Sequence, residues 1–269
     1  MLEQVVATRY VTPLREGGSL PGVVEGDDLG TYVVKFREAG QGRRVLVAEI
    51  VAGELARRLG FRTPELKIID VDPQLGAREP DEEVQDLLKA SAGRNLAVDF
   101  LPGALGFEPL AWAPDPAFAA RLVWFDGLIH NLDRTWRNPN LLLWHGDSWL
   151  IDHGAALWFH HNWKTADPQR PFDASDHVLA PFVEGVEEAA AALSAPITRE
   201  LLEEVTALVP DEWLDGEPGF ASPGAVREAY VDHLLRRAHG PGGWLTSAEP
   251  KAQRPGPGSV GEFWRGGRG

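Results

Sequence analysis

A polar loop lies between two apolar segments, and that placement constrains the chain more than anything else in it. Pro116–Asn131 reads as a long apolar helix. Leu141–Trp144 and Trp149–Ile151 read as two short strands joined by a His145-Gly146-Asp147 turn. Between helix and hairpin runs the polar stretch Asp133–Asn140, and directly after the hairpin comes Asp152-His153-Gly154. A helix ending in an ordinary polar turn accounts for the loop alone. It does not require an apolar hairpin that itself ends in an aspartate.

The residues before this segment have a different texture. Residues 3–12 read as a strand, Gly17–Pro21 as a small-residue loop, and Val23-Val24 as resumed extended structure. Gly26–Gly30 is a turn signal, and Thr31–Phe36 is the second arm of a hairpin. Residues 44–59 place apolar side chains at helical spacing, with Gly60 as the C-terminal stop. Glu65–Val71 is a further strand, Pro80–Ala90 a short helix, and Asn95–Leu101 a buried strand ended by Pro102-Gly103. After Asp152 the chain reads as mainly helical through Ala238. Residues 240–269, rich in Gly, Pro and Arg, read as a mostly disordered tail in which Trp244 and Trp264 are the side chains able to dock. The expected class is therefore α+β and bilobal. A β-rich first lobe with one helix spans residues 1–101, and a mainly helical second lobe spans 102–239.

Composition narrows the functions available. The 269 residues carry a formal net charge of −14, which disfavours nucleic acid and anionic membrane surfaces as partners. No stretch approaches the length of a membrane span, and the N-terminus lacks the pattern of a signal peptide. There is no cysteine, hence no disulfide, thiolate metal site or thiol nucleophile, which is compatible with a cytoplasmic location. Of the ten tryptophans, seven fall between Trp112 and Trp163, and packing around the central segment is the expected use for them.

Four features that carry chemistry occur in a telling order. The loop Gly17, Gly18, Ser19, Leu20, Pro21 would let backbone N–H groups approach phosphates. Lys35 ends the strand YVVKF and suits pairing with nucleotide phosphates. Glu49 or Glu54 on the next helix could hold that lysine. Glu49 is preferred, near the helix start, and Glu54 is expected on a solvated face. Asp133 and Asn138 have the five-residue spacing of a kinase catalytic loop. There the aspartate orients the attacking hydroxyl and the asparagine turns back to a magnesium ion. Asn140 offers a second amide for that metal. Asp152-His153-Gly154 matches a metal-binding D-x-G element.

These residues together resemble the HipA-like kinase family, and more loosely the phosphatidylinositol kinases. The resemblance covers about residues 10–240. It rests on GGSLPGVVEGDDLGTYVVKF, AEIVAGELARRLGFRTPE, HNLDRTWRNPN and LLLWHGDSWLIDHG. Arg134, directly after the aspartate, is more like these atypical kinases than like the H-R-D form. The resemblance implies a protein-kinase-like fold that uses ATP and Mg2+. Lys35 would contact the α/β phosphates, braced by Glu49. Val98, Asp99, Phe100 and Leu101 would be a hinge binding adenine through backbone groups. Asp133 would be catalytic, with Asn138 and Asp152 as metal ligands. The acceptor would be a hydroxyl, protein Ser/Thr first among the candidates, with a small molecule also open. Oligomeric state and any protein partner have no signature here.

Three rival readings stay open at this point. One is a catalytically inactive kinase fold that only binds nucleotide. Retention of Lys35, Asp133, Asn138 and Asp152 together weighs against it. Another is a metal hydrolase built on His145, His153, His160 and His161 near Asp147. It lacks the H-x-x-x-H spacing, and His160 and His161 are expected in a loop or on a helix surface. The third keeps ATP but transfers a nucleotidyl group.

Overall fold

Alternating β-branched and polar residues near the N-terminus close into a five-stranded barrel. The computed structural model describes residues 1–14, 20–77, 79–109 and 111–247. In chain order its first elements are β1 (Gln4–Pro13), β2 (Gly22–Gly26), β3 (Thr31–Lys35), α1 (Arg43–Arg58), β4 (Leu66–Val71), α2 (Glu82–Ala90) and β5 (Gly93–Asp99). The strand order is β1-β2-β3-β5-β4, closed by parallel pairing of Gln4–Val6 with Ile68–Asp70. Register sorts the side chains onto two faces. Val5, Val24, Tyr32, Val34, Ile69 and Ala97 form one core with Val84 and Leu88 of α2. Lys35 stands opposite Leu96, and Val33 opposite Val98, so all four share the other face, turned toward α1.

Helix α1 is apolar on every side and is buried from Leu46 through Ala56. It ends in a Schellman motif. Gly60, at φ +85°, donates to Arg57, and Phe61 donates to Ala56, at 3.0 Å each. Arginines tie both ends to the second half of the chain. Arg43 donates to the Glu212 carbonyl at 2.6 Å, Arg44 makes two bonds to Glu217 at 2.7 and 3.1 Å, and Arg58 meets Glu204 at 2.8 Å.

The second half holds β6 (Leu105–Gly106), α3 (Pro116–Leu128), β7 (Leu141–Trp144), β8 (Asp147–Leu150), β9 (Phe172–Asp173), α4 (Val186–Ser194), α5 (Arg199–Thr206), α6 (Asp211–Leu214), α7 (Pro223–His239) and β10 (Leu245–Ser247). The β7–β8 hairpin occurs as the apolar pattern predicts, with β6 added at its edge. Among the described residues no helix is long and apolar enough to cross a membrane.

Three expectations are corrected. Helix α3 stops at Leu128 rather than Asn131, because His130 turns left-handed at φ +52° and Asn131 donates back to the Asp126 carbonyl at 2.8 Å. The stretch after Asp152 is not helical until Val186. Short 3-10 turns and β9 fill it, Pro168, Pro171 and Pro181 interrupt any longer helix, and aromatic packing holds it instead. Residues 240–247 belong to the fold, whereas the rest of the expected tail lies outside the described residues. Trp244 is 4% exposed; its indole N–H donates to the Arg237 carbonyl at 3.0 Å and its ring lies under the Arg237 guanidinium. Gly127 leaves the space for it, since a Cβ there would lie 2.4 Å from the Trp244 ring. The clustered tryptophans divide as well. Trp124 is core, Trp158 and Trp163 pack partly against it, and Trp112 is exposed.

Histidines form part of this core. His130 and His233 face each other with Nε2 atoms 3.1 Å apart, His233 stacks on Phe159, and His160 bonds the Tyr230 hydroxyl at 2.9 Å. His160, expected in a loop or on a helix surface, lies buried in the 3-10 turn Trp158–His161.

Two measurements follow from this packing. Trp244→Ala should lower unfolding free energy by about 3–5 kcal/mol in urea titration, as for other buried large-to-small changes; an unchanged midpoint would show that residues 240–247 contribute nothing. Burial, reinforced by nearby positive charge, also depresses the pKa of His130 to about 2, of His233 to about 3 and of His160 well below normal. In the unfolded chain they titrate near 6.5. Their neutral burial therefore costs nothing above that pH, and stability falls as pH drops from about 6.5 toward 3. By pH 5.5 the loss should be on the order of 1 kcal/mol or more for the set. A flat stability profile between pH 7.5 and 5.5 is the contrary result.

Candidate active site

Lys35 comes to the site because it is the last residue of β3, on the face turned toward α1. Its ammonium contacts Glu49 Oε1 and lies 2.7 Å from Asp152 Oδ1. Glu49 projects from the second turn of α1, so a strand end and a helix start meet the end of the hairpin. Glu49 is 3% exposed and the Lys35 side chain 11%, while the Asp152 side chain is half exposed. Burial pulls the lysine toward neutrality, but the charges of Glu49 and Asp152 outweigh it and hold its pKa above the ordinary value. Burial likewise opposes ionisation of Asp152, and Lys35 overcomes it, lowering that carboxyl to about 2. Glu49 goes the other way, raised by burial with the Asp152 charge adding to it. Gly154 is required by close approach: a Cβ there would lie 2.6 Å from Val45 Cγ1 and 3.0 Å from Glu49 Oε1. Asp152 itself is left-handed at φ +54°.

Glu54 is not the solvated residue expected from the sequence. It is 7% exposed and pairs with Arg57 at 3.2 Å. Arg57 in turn donates to the carbonyls of Thr63 and Pro64, which ties α1 to the chain entering β4. A helix buried all round gives Glu54 no water to face, so it needs a cation.

The second cluster is the loop. Asn138 Nδ2 donates to Asp133 Oδ2 at 2.8 Å, and Asn140 Nδ2 donates to the same oxygen at 3.1 Å. Both amides spend N–H on Asp133, which keeps their carbonyl oxygens available. Thr135 shapes the turn: its N–H donates to the Asp133 and Asn138 carbonyls, and its hydroxyl accepts from the Asn138 N–H at 3.3 Å. The loop is joined to the hairpin end by the Ile151 N–H, which donates to the Asn140 carbonyl at 3.2 Å. Asn140 thus links the Asp133 carboxylate to the residue that precedes Asp152.

Beneath the loop lies a set of residues that the sequence reading missed. Asp126, fully buried on α3, accepts from Arg134 Nε at 2.6 Å, His177 Nε2 at 2.9 Å and Asn131 Nδ2 at 3.0 Å. Burial alone would raise its pKa, but the Arg134 charge and the His177 bond hold it at about 2. A single carboxylate inside the apolar run VWFDGLI was the available signal, since a buried charge demands a partner.

The remaining expectations fall as follows. Val98 and Asp99 are in β5, flanked by β3 and β4. The Asp99 N–H donates to Glu65 and the Phe100 N–H to Thr31, so both amides are engaged in the sheet. Phe100 is 40% exposed and Leu101 7%. Val98 lines a narrow slot of about 10 Å³ with Leu66, Leu150 and Ile151, and Glu49 and Asp152 also line it. Gly17, Gly18 and Ser19 lie outside the described residues. Among the described residues no group of three or more His, Cys, Asp or Glu could hold a metal ion, so the histidine-based hydrolase has no cluster to stand on. The ionised Asp152 carboxylate and the amide oxygens of Asn138 and Asn140 are donors of the kind that suits a hard divalent cation.

Removing Glu49 should be costly because it leaves a buried ammonium underpaired. Glu49→Ala should destabilise the fold by about 3–5 kcal/mol. Equal unfolding midpoints for Glu49→Ala and wild type would show that Lys35 does not depend on it.

A family profile described as HipA-like kinase matches residues 8–246. No curated protein matches significantly. Among solved structures, the Helicobacter pylori proinflammatory kinase CtkA matches at 12% identity over 86% of this chain and 93% of that one, with a TM-score of 0.42. The Golgi casein kinase matches at 14% identity over 88% and 70%, with a TM-score of 0.45. Its structure with Mn/ADP bound matches at 13% identity over 88% and 71%, with a TM-score of 0.46.

Proposed function

Since this chain belongs to the HipA-like kinase family, as the match over residues 8–246 shows, we propose that it transfers the γ-phosphoryl group of ATP to a hydroxyl of an acceptor. Protein Ser/Thr is the acceptor class we favour. The observation that carries this reading is the meeting of the Lys35–Glu49–Asp152 ion cluster with the Asp133–Asn138–Asn140 cluster through the Asn140–Ile151 backbone bond.

In this reading the barrel and α1 are the nucleotide-binding lobe, and the helical half is the acceptor lobe, extended to Ser247. Adenine would lie beside Val98, between Leu66 and Ile151, where the slot of about 10 Å³ must open to admit it, with the chain around Leu101 as hinge. Lys35 binds the α/β phosphates, and Glu49 keeps its ammonium pointed at them. The lysine is already ionised and already oriented, so its own side chain requires little rearrangement on binding. Asp152 and the amide oxygens of Asn138 and Asn140 hold Mg2+, which when bound neutralises charge on the phosphates. Asp133 orients the acceptor hydroxyl and takes its proton. Its Oδ2 is fixed by two amides, so the carboxylate cannot rotate away. The ATP pool and the absence of cysteine fit a cytoplasmic site of action.

Asp133→Asn should leave ATP affinity nearly unchanged and lower turnover by about two to four powers of ten. Asp152→Ala should instead lose most magnesium-dependent affinity. Calorimetry with and without magnesium, together with autophosphorylation or slow ATP hydrolysis, checks both. Wild-type protein that binds ATP but turns over nothing would be a nucleotide-binding relative without catalysis. Equal turnover by wild type and Asp133→Asn would remove Asp133 from the reaction.

A further inference from the structure

We propose that Asp126 is a positioning residue, which through Arg134 and His177 sets the relative placement of the Asp133 loop, the Asp152 strand end and the segment around residue 177. This deepens the kinase reading and rests on it only for its effect on rate. The geometric part stands on contacts alone.

Arg134 is the link. It is 1% exposed, and its Nε lies 2.6 Å from Asp126 Oδ2. Its Nη1 donates to the Asn140 carbonyl and, at 3.5 Å, to the Ile151 carbonyl. One guanidinium thus holds the backbone at the end of the loop and the backbone immediately before Asp152. Asp126 keeps that guanidinium in plane, because it accepts from both Nε and Nη2.

His177 adds the third segment. Its Nδ1 accepts the Leu179 N–H at 3.0 Å, so the ring proton sits on Nε2 and is donated to Asp126 Oδ2 at 2.9 Å. Asp126 Oδ2 thus accepts from both the guanidinium and the imidazole. Backbone bonds run alongside. Val178 N–H donates to the Arg134 carbonyl at 3.1 Å, and Thr135 bridges His177. The segment that follows the metal-binding strand is thereby docked under the catalytic loop. Asp126 also holds Asn131 Nδ2, and Asn131 Oδ1 accepts the Asp133 N–H at 3.1 Å. Asp126 touches no reactant, yet it reaches the backbone of Asp133 by one path and the residue before Asp152 by another.

Misplacing a reacting group by about 1 Å costs on the order of 100-fold in rate. Ground-state nucleotide affinity depends less on the loop than the rate does, since Lys35, Leu66 and Val98 lie on other elements. Substituting Asp126 itself would strand a buried arginine and endanger folding, so the test uses His177. In the full chain, His177→Phe keeps the bulk but removes the N–H. His177→Gln places an amide N–H near the position of Nε2. His177→Phe should lower turnover by about tenfold or more, with ATP affinity within about threefold, and His177→Gln should recover most of that loss. Hydrogen–deuterium exchange should rise in His177→Phe for peptides covering residues 131–140 and 150–154 together, and less in His177→Gln. Unchanged exchange at both peptides overturns the proposal whatever the activity. So do Phe and Gln variants with equal rates, or a fall in rate that tracks loss of melting temperature in both. Wild-type protein that neither binds nor consumes ATP would sink the kinase reading, while the exchange comparison would still decide the geometric claim.

Discussion

A helix without a solvent face organises this molecule. Helix α1 lies between the barrel and the helical half, and every turn from Leu46 to Ala56 is buried. Two glutamates in such a helix are costly unless each meets a cation. Glu54 meets Arg57, which also secures the entry to β4. Glu49 meets Lys35 at the end of β3, which fixes the lysine beside Asp152. The same packing requires glycine at position 154, because α1 occupies the space of a side chain there. The burial of one helix thus decides where an ammonium, a carboxylate and the chain after it must stand.

The site has a second fixed point of similar kind. The Asp126–Arg134 pair sits under the loop and is wholly removed from water. Two ion clusters, one around Lys35 at the slot and one below the loop, are bridged by the short path from Asn140 through Ile151 to Asp152. Neither cluster gains much stability over an apolar filling of the same volume. What they provide is direction, since charged hydrogen bonds tolerate little rotation.

Much of this was legible in the sequence, for physical reasons. The hairpin arms, α1 and β4 show clear periodicity, and Lys35 with Glu49 could be paired from strand-then-helix order. The five-residue spacing of Asp133 and Asn138 needed no tertiary information. What escaped was set by contacts distant in sequence. Glu54 reads as solvated until α1 is known to be buried all round. His177 has no local pattern, because its partner lies 51 residues away on α3. The helix end at Leu128 was hidden by His130, which adopts a conformation usually left to glycine and is held there by His233 across the core. The irregular stretch before Val186 looks helical by composition, yet aromatic packing and prolines decide otherwise.

The arginine contacts at the two ends of α1 bear on which molecules could compete for this site. Arg43 and Arg44 hold one end to residues 212 and 217, and Arg58 holds the other to Glu204. A compound reaching behind Lys35 would have to push the helix outward and break these contacts along with the Glu49 pair. With α1 fixed in this way, a compound bound at Lys35 would have to widen the narrow slot beside Val98 from its open side. Phe100, which follows β5, and Leu132, which precedes Asp133, stand 40% and 55% exposed, so large apolar contacts outside the slot, rather than depth within it, are what such a compound could gain.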